Sequence, residues 1–152
     1  MNIKFKKIVD KFPGLMDQLV NSPAKLLGNS SDLPLRGIYV FYDNKKAIYV
    51  GRTNRMRNRI KEHGRPGSTH NSAPFAFNLA REVAKEKGIN VGLSRIRLEK
   101  DQNFIDLFSK AKKRVSKMSI RAIEIDDPII QTIFEVYVHM ELNTKYNEWD
   151  TH

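Results

Sequence analysis

The chain has 152 residues, of which 40% are hydrophobic and 29% are charged, a composition typical of one soluble globular domain and too apolar for a disordered chain. It contains no cysteine, which excludes disulfides, thiolate metal sites and thiol catalysis. No apolar run approaches the roughly 18 residues of a membrane span, and the first residues lack a signal-peptide core. We therefore expect a cytoplasmic, intracellular protein with no membrane partner.

The charge is strongly positive and unevenly distributed. Lys and Arg number 27 against 17 Asp and Glu, a net charge of +10. Residues 44–65 hold eight basic residues against one acid (+7), and residues 110–121 hold six basic residues and no acid. Residues 122–152 hold seven acids against one base (−6). This distribution favours a nucleic-acid-binding face whose affinity falls steeply with salt, the alternative being a basic surface without a partner.

In the amino-terminal third, apolar residues at helical intervals predict a helix over residues 3–27, broken into two pieces at Pro13–Gly14. Leu35–Phe41 and Ala47–Val50 are rich in β-branched and aromatic residues. Because only the short polar segment 43–46 separates them, they predict a β-hairpin.

The rest of the chain alternates further predicted elements. Helices are expected from Thr53 or Asn54 to about His63, then over 74–86, 103–115 and 128–143, and strands over 89–98 and 119–125. Ser72 is the expected cap of the 74–86 helix, and Asp126-Asp127-Pro128 is a strong helix start. The predicted fold is α/β of the α+β type: one compact domain with a small, mostly antiparallel three-stranded sheet flanked by helices.

Two tyrosine-containing triplets mark the predicted hairpin. Gly37-Ile38-Tyr39 begins its first strand and Tyr49-Val50-Gly51 ends its second, so the tyrosines sit at matching ends of paired strands. The following residues then occur in chain order: Arg59 and His63 on the next helix, Glu135 on the late helix, and Asn147 twelve residues beyond it. This order resembles the GIY-YIG nuclease superfamily, in the form of a small bacterial-type or phage-type protein, over roughly residues 36–147.

The candidates Arg59 and His63, on the helix after the hairpin, can also be assessed from their positions on that helix, independently of the resemblance. Arg59 and His63 are four residues apart, on the same side of the helix as Met56 and Ile60 and opposite its outward charges. An arginine among apolar residues indicates a buried partner or a phosphate-binding role. For His63, the alternative is a core histidine at the end of a helix.

One further candidate lies on the late helix and another lies beyond it. Glu135 interrupts an apolar stretch, where a carboxylate is costly without a counter-charge or a metal ion. Its alternative partner is His139, one turn further on. Asn147 is the weakest candidate taken alone, since Tyr146-Asn147 is also compatible with a simple turn.

The resemblance implies a metal-dependent DNA endonuclease that hydrolyses phosphodiester bonds, with domain limits of 36–152 and an amino-terminal helical extension over 1–35. It implies that Glu135 binds one Mg²⁺ or Mn²⁺ ion and that Arg59 contacts the scissile phosphate. Tyr39 or Tyr49 would be the general base, with His63 sharing the proton. Asn147 would orient the phosphate or a metal-bound water.

Further residues are expected to contact DNA rather than take part in the chemistry: Arg52, His70, Asn71, Lys112, Lys113, Arg114 and Lys117. Their alternatives are a solvated helix face and a polar loop. We expect a monomer or a transient homodimer. Alternative functions are a non-catalytic nucleic-acid-binding protein that retains the fold, a restriction-type dimeric endonuclease, or an RNA-binding protein.

Overall fold

The computed structural model describes residues 1–150 of the chain, except for the side chain of Ser30. The chain forms two compact units. The first comprises Met1–Arg57 and the chain from Ser119 onward, and the second comprises Asn58–Met118. The fold is mixed α/β, as predicted. Within the described residues, no helix is both long and apolar enough to cross a membrane.

The sheet belongs to the first unit and has four antiparallel strands in the order β1-β4-β2-β3. The strands are β1 (Lys25–Leu26), β2 (Gly37–Asp43), β3 (Lys46–Thr53) and β4 (Ser119–Glu124). The predicted hairpin is β2 and β3, and the predicted strand over 119–125 is β4. The prediction of three strands was wrong because it placed β1 in a helix. Two residues are too few to show the alternation by which a strand is recognised.

The helices are α1 (Ile3–Val9), α2 (Phe12–Asn21), α3 (Met56–Gly64), α4 (Pro74–Glu86), α5 (Arg95–Leu98), α6 (Gln102–Val115) and α7 (Pro128–Leu142), and Leu27–Asp32 forms a 3₁₀ segment. Asp127 caps α7, since its carboxylate accepts hydrogen bonds from the amides of Ile129 and Ile130 at 2.8 and 3.1 Å. Pro128 lies in the first turn of α7, where its missing N–H costs nothing.

Three local predictions need correction. The break between α1 and α2 comes before Pro13, which lies in the first turn of α2 and is tolerated there. The 89–98 segment is not a strand: its end forms α5, whose cap Ser94 accepts a hydrogen bond from the Arg97 amide. The cap position of α4 is Ala73 rather than Ser72, whose hydroxyl instead accepts a hydrogen bond from the Thr69 amide at 3.0 Å.

One face of the sheet builds the main core of the first unit. Its apolar residues are buried together with side chains of α2 and α7: Ile38, Val40 and Val50 of the sheet, Phe12 and Leu19 of α2, and Phe134 and Val138 of α7. The ring centroids of Phe12 and Phe134 are 5.2 Å apart. The amino-terminal segment over 1–35 therefore shares its core with the sheet.

The opposite face of β2 and β3 carries an aromatic cluster formed by Tyr39, Phe41 and Tyr49. Their ring centroids lie between 5.9 and 6.4 Å apart. Tyr39 is paired in register with Gly51, and its ring occupies the space in which a Cβ atom at position 51 would lie. The glycine of the second triplet thus accommodates the tyrosine of the first.

The second unit has an aromatic core between α4 and α6. The ring of Phe77 lies 5.0 Å from that of Phe104 and 5.4 Å from that of Phe108, and all three residues are buried. Asp101 caps α6 by accepting hydrogen bonds from the first amides of the helix.

The contact between Gly51 and Tyr39 leads to a prediction about stability. Gly51→Ala forces the Tyr39 ring to move and should lower the free energy of unfolding by about 1–3 kcal/mol. Gly14 is the control: it lies in α2 with open space around it, so Gly14→Ala should stabilise the protein by about 0.5–1 kcal/mol. Urea unfolding measures both changes. A Gly51→Ala variant as stable as the wild type would contradict this packing.

Candidate functional site

The outer edge of β3 is closed by the segment that follows α7. Asn147 pairs with the main chain of Val50 through both atoms of its amide group: Nδ2 donates to the Val50 carbonyl at 2.8 Å, and Oδ1 accepts from the Val50 amide at 3.0 Å. The Tyr146 amide donates to the Ile48 carbonyl at 3.1 Å. Because β3 is an edge strand, these bonds occupy groups that would otherwise be open to pairing with another chain.

Glu135 closes the same edge one step further along β3. Its carboxylate accepts a hydrogen bond from the Arg52 amide and lies 3.5 Å from Nε of the Arg52 guanidinium. The Glu135 side chain is only 17% exposed. Burial raises the pKa of Glu135 to about 7, although the charge and the amide of Arg52 oppose this shift. Glu135 is therefore a buried carboxylate whose charge is only partly compensated.

His139 is not the partner of Glu135. Its Nδ1 lies 2.8 Å from the Thr144 hydroxyl, which in turn donates to Oδ1 of Asn147 at 2.8 Å. Thr144 is 1% exposed. This chain of hydrogen bonds fixes the turn after α7 and holds the Asn147 amide against β3.

The first unit holds two pairs of candidate side chains. Tyr39 and Tyr49 lie together in the aromatic cluster, where Tyr39 is 1% exposed and Tyr49 is partly exposed. Arg52 and Glu135 form the second pair. Because side chains alternate along a strand, Tyr49 and Arg52 project from opposite faces of β3.

A metal ion at Glu135 would have one protein carboxylate as its ligand. Within residues 1–150, no group of three or more His, Asp or Glu side chains is arranged to hold a metal. Mg²⁺ typically keeps several waters and binds one or two carboxylates plus phosphate oxygens of the substrate. A buried carboxylate whose charge is only partly compensated suits the role of that single protein ligand, and a bound cation would supply further positive charge.

In the second unit, α3 carries Arg59 with two acceptors on one nitrogen. Its Nη1 donates to the Glu62 carboxylate at 3.1 Å and to the Ser72 carbonyl at 2.8 Å. The Arg59 side chain is 19% exposed. The predicted orientation of the helix is confirmed, since Met56, Ile60 and His63 are buried.

His63 is fully buried beside Phe75, with 5.8 Å between ring centroids. Burial lowers the pKa of His63 well below its ordinary value, and the neighbouring charge of Arg59 lowers it further. The imidazole is therefore neutral at physiological pH. In this form one ring nitrogen is a donor and the other an acceptor.

The predicted DNA-contact residues occupy different surroundings. Lys113, Arg114, Lys117, Asn71 and Arg52 are exposed. Lys112 is instead buried at 7% exposure, and its ammonium donates to the carbonyls of Pro66 and Ser68. Burial also lowers the pKa of Lys112. We therefore remove Lys112 from the DNA-contact surface. His70 is bound by Glu99, with 2.8 Å between Nδ1 and Oε1.

Four partner residues were missed from the sequence: Glu62, Ser72, Glu99 and Thr144. Glu62 lies three residues after Arg59 on one helix, a spacing that predicts contact. The burial of Lys112 also had a signal, since it lies four residues after Phe108 and shares its apolar face. Glu99 and His70 are 29 residues apart, and no local pattern connects them.

The chain matches no protein-family model, no curated protein and no solved structure. The resemblance to the GIY-YIG superfamily therefore rests on the motif residues themselves.

The raised pKa of Glu135 predicts a pH dependence of stability. The folded protein binds this proton more tightly than the unfolded chain, so the stabilisation is complete below about pH 4.5 and is lost as pH rises through about 7. Glu135→Gln removes the charge and keeps the shape. It should match the wild type near pH 4.5 and be about 3 kcal/mol more stable above pH 7.

Urea unfolding between pH 4.5 and 8 measures this difference. Glu124→Gln, at an exposed carboxylate of β4, is the control and should leave the profile unchanged. If the free energies of unfolding of Glu135→Gln and the wild type differed by the same amount at every pH in this range, the pKa of Glu135 would not be raised by folding.

Proposed function

We propose that this protein is a metal-dependent DNA endonuclease of the GIY-YIG type. The observation that carries the proposal is the pairing of the two triplets on adjacent strands, with Gly51 accommodating the Tyr39 ring. This pairing gives a physical reason for a glycine two residues after Tyr49. The net charge of +10 supports a polyanionic substrate.

Glu135 is the proposed ligand of one Mg²⁺ or Mn²⁺ ion. When bound, such an ion supplies Lewis-acid stabilisation of the phosphate and lowers the pKa of water. Glu135 contributes the carboxylate, and Arg52 holds it through its amide and its charge. Since Asn147 already pairs with Val50, we propose that it positions the edge of β3 rather than the phosphate.

The resemblance also gives roles to two residues of the second unit, Arg59 and His63. Arg59 binds the scissile phosphate and neutralises the charge that builds in the transition state. Because burial and the charge of Arg59 disfavour protonated His63, its proposed role is to share a proton with the tyrosine by hydrogen bonding rather than to hold that proton.

Of the two tyrosines, the partly exposed Tyr49 is the better candidate for contact with a solvent water, because Tyr39 is buried. Since Tyr49 and Arg52 project from opposite faces of β3, Tyr49 is not proposed to act on a water bound at Glu135.

Exposed cations provide the proposed contacts to the DNA backbone. Lys113, Arg114 and Lys117 lie on or directly after α6, and Arg52 lies on β3. Phosphate contacts of this kind give affinity without base recognition. We propose weakly sequence-specific or structure-dependent cleavage by a monomer or a transient homodimer, with a restriction-type dimer as the variant form.

A second function is favoured by a specific observation. Glu135 and Asn147 both make hydrogen bonds that close the edge of β3, and Arg59 is paired with Glu62. These contacts serve the fold without any reaction. They are compatible with a nucleic-acid-binding protein that retains the fold but does not cleave.

Arg59→Ala separates the two functions. For the endonuclease, loss of the charge-stabilising group should lower plasmid nicking by on the order of 10²–10³, while circular dichroism still shows the folded protein. The control is Arg97→Ala, at an exposed arginine of α5, which should nick at the wild-type rate. Nicking by Arg59→Ala at the wild-type rate would exclude Arg59 from the chemistry.

A further inference from the structure

The loop that joins α3 to α4, residues 65–73, is held by three charged side chains of the second unit that lie outside it. Lys112 binds its beginning, Glu99 binds its middle and Arg59 binds its end. The loop directly follows the helix that carries Arg59 and His63. Its position therefore bears on Arg59, which the loop contacts directly.

Lys112 holds the beginning of the loop. Its Nζ donates to the Ser68 carbonyl at 2.9 Å and also to the Pro66 carbonyl. The same ammonium lies 4.3 Å from the centroid of the Phe108 ring. A buried ammonium is costly unless it is hydrogen-bonded, so Lys112 and the loop carbonyls hold one another in place.

Glu99 holds the middle of the loop. Its carboxylate accepts a hydrogen bond from the His70 amide, and its Oε1 lies 2.8 Å from Nδ1 of the His70 ring. The His70 ring packs against Phe77, with 6.0 Å between centroids. One carboxylate thus fixes both the main chain and the side chain of a single loop residue.

The end of the loop holds Arg59. The Ser72 carbonyl accepts a hydrogen bond from Nη1 of Arg59 at 2.8 Å. Ser72 is itself fixed by Thr69, since the Ser72 amide donates to the Thr69 carbonyl at 3.2 Å and the Thr69 amide donates to the Ser72 hydroxyl at 3.0 Å. A shift of the loop would move the Ser72 carbonyl and with it the guanidinium.

We infer that Lys112 and Glu99 are positioning residues for Arg59, acting through the 65–73 loop. The inference rests on the proposed function, in which Arg59 meets the scissile phosphate. Glu62 and the Ser72 carbonyl accept hydrogen bonds from the same guanidinium nitrogen of Arg59. The positions of these two acceptors therefore determine the orientation of the guanidinium plane. Lys112 and Glu99 hold the loop and so fix the position of one of these acceptors, the Ser72 carbonyl.

The test compares Lys112→Met with Lys85→Met, a control at an exposed lysine of α4. Lys112→Met should lower the single-turnover cleavage rate at saturating DNA at least about tenfold, because a displaced catalytic group reacts slowly. Its Kd for DNA in EDTA should stay within about twofold, because Lys112 is buried away from the DNA-contact surface. Lys85→Met should change neither quantity. The inference would be overturned if Lys112→Met cleaved DNA at the wild-type rate, or if its affinity for DNA fell by the same factor as its cleavage rate.

Amide hydrogen exchange tests the loop independently of cleavage. Peptides covering 65–73 should exchange faster in Lys112→Met than in Lys85→Met, with little change elsewhere in the chain. Glu99→Ala should give the same result, and it serves as the second variant if Lys112→Met does not fold. If the wild-type protein cleaves no DNA, the proposed function fails while the exchange rates still decide whether the loop is held. Unchanged exchange in both variants would overturn the inference.

Discussion

The open edge of β3 is the constraint on which the first unit depends. An edge strand offers a row of unpaired main-chain groups, and this chain closes the row with Tyr146, Asn147 and Glu135. Closing the edge with a carboxylate buries a negative charge, which is unfavourable. The unfavourable burial is seen in the pKa of Glu135, which is raised to about 7. A divalent cation would offset that unfavourable burial. The residue that completes the sheet is thus also the residue that we propose as a metal ligand.

The second unit solves a related problem with side chains that are far apart in the sequence. In the nine-residue loop between α3 and α4, Lys112 and Glu99 bind three main-chain groups, namely the carbonyls of Pro66 and Ser68 and the amide of His70. The loop then supplies the Ser72 carbonyl to Arg59. In both units, a candidate catalytic residue is tied into the bonds that maintain the fold. Replacing Glu135 is therefore expected to change the stability of the protein as well as its reactivity.

The sequence predicted the features that local patterns encode. The hairpin follows from two β-rich segments around a short polar turn, and α7 follows from Asp126-Asp127-Pro128. The strand β1 was missed because two residues carry no period. Lys112 was assigned to the surface because its charge was counted and its helical register with Phe108 was not. The pairing of Glu99 with His70, and of Asn147 with Val50, depends on distant parts of the chain and has no local signal.

The most direct test of a metal-dependent reaction at Glu135 is the nicking of supercoiled plasmid by the wild type and by Glu135→Gln, each with Mg²⁺ and with EDTA. We predict nicking by the wild type in Mg²⁺ alone, and none by Glu135→Gln although it still binds DNA. Equal nicking by the two proteins would contradict the assignment of Glu135. DNA binding without any nicking by the wild type would contradict the endonuclease and leave a nucleic-acid-binding protein.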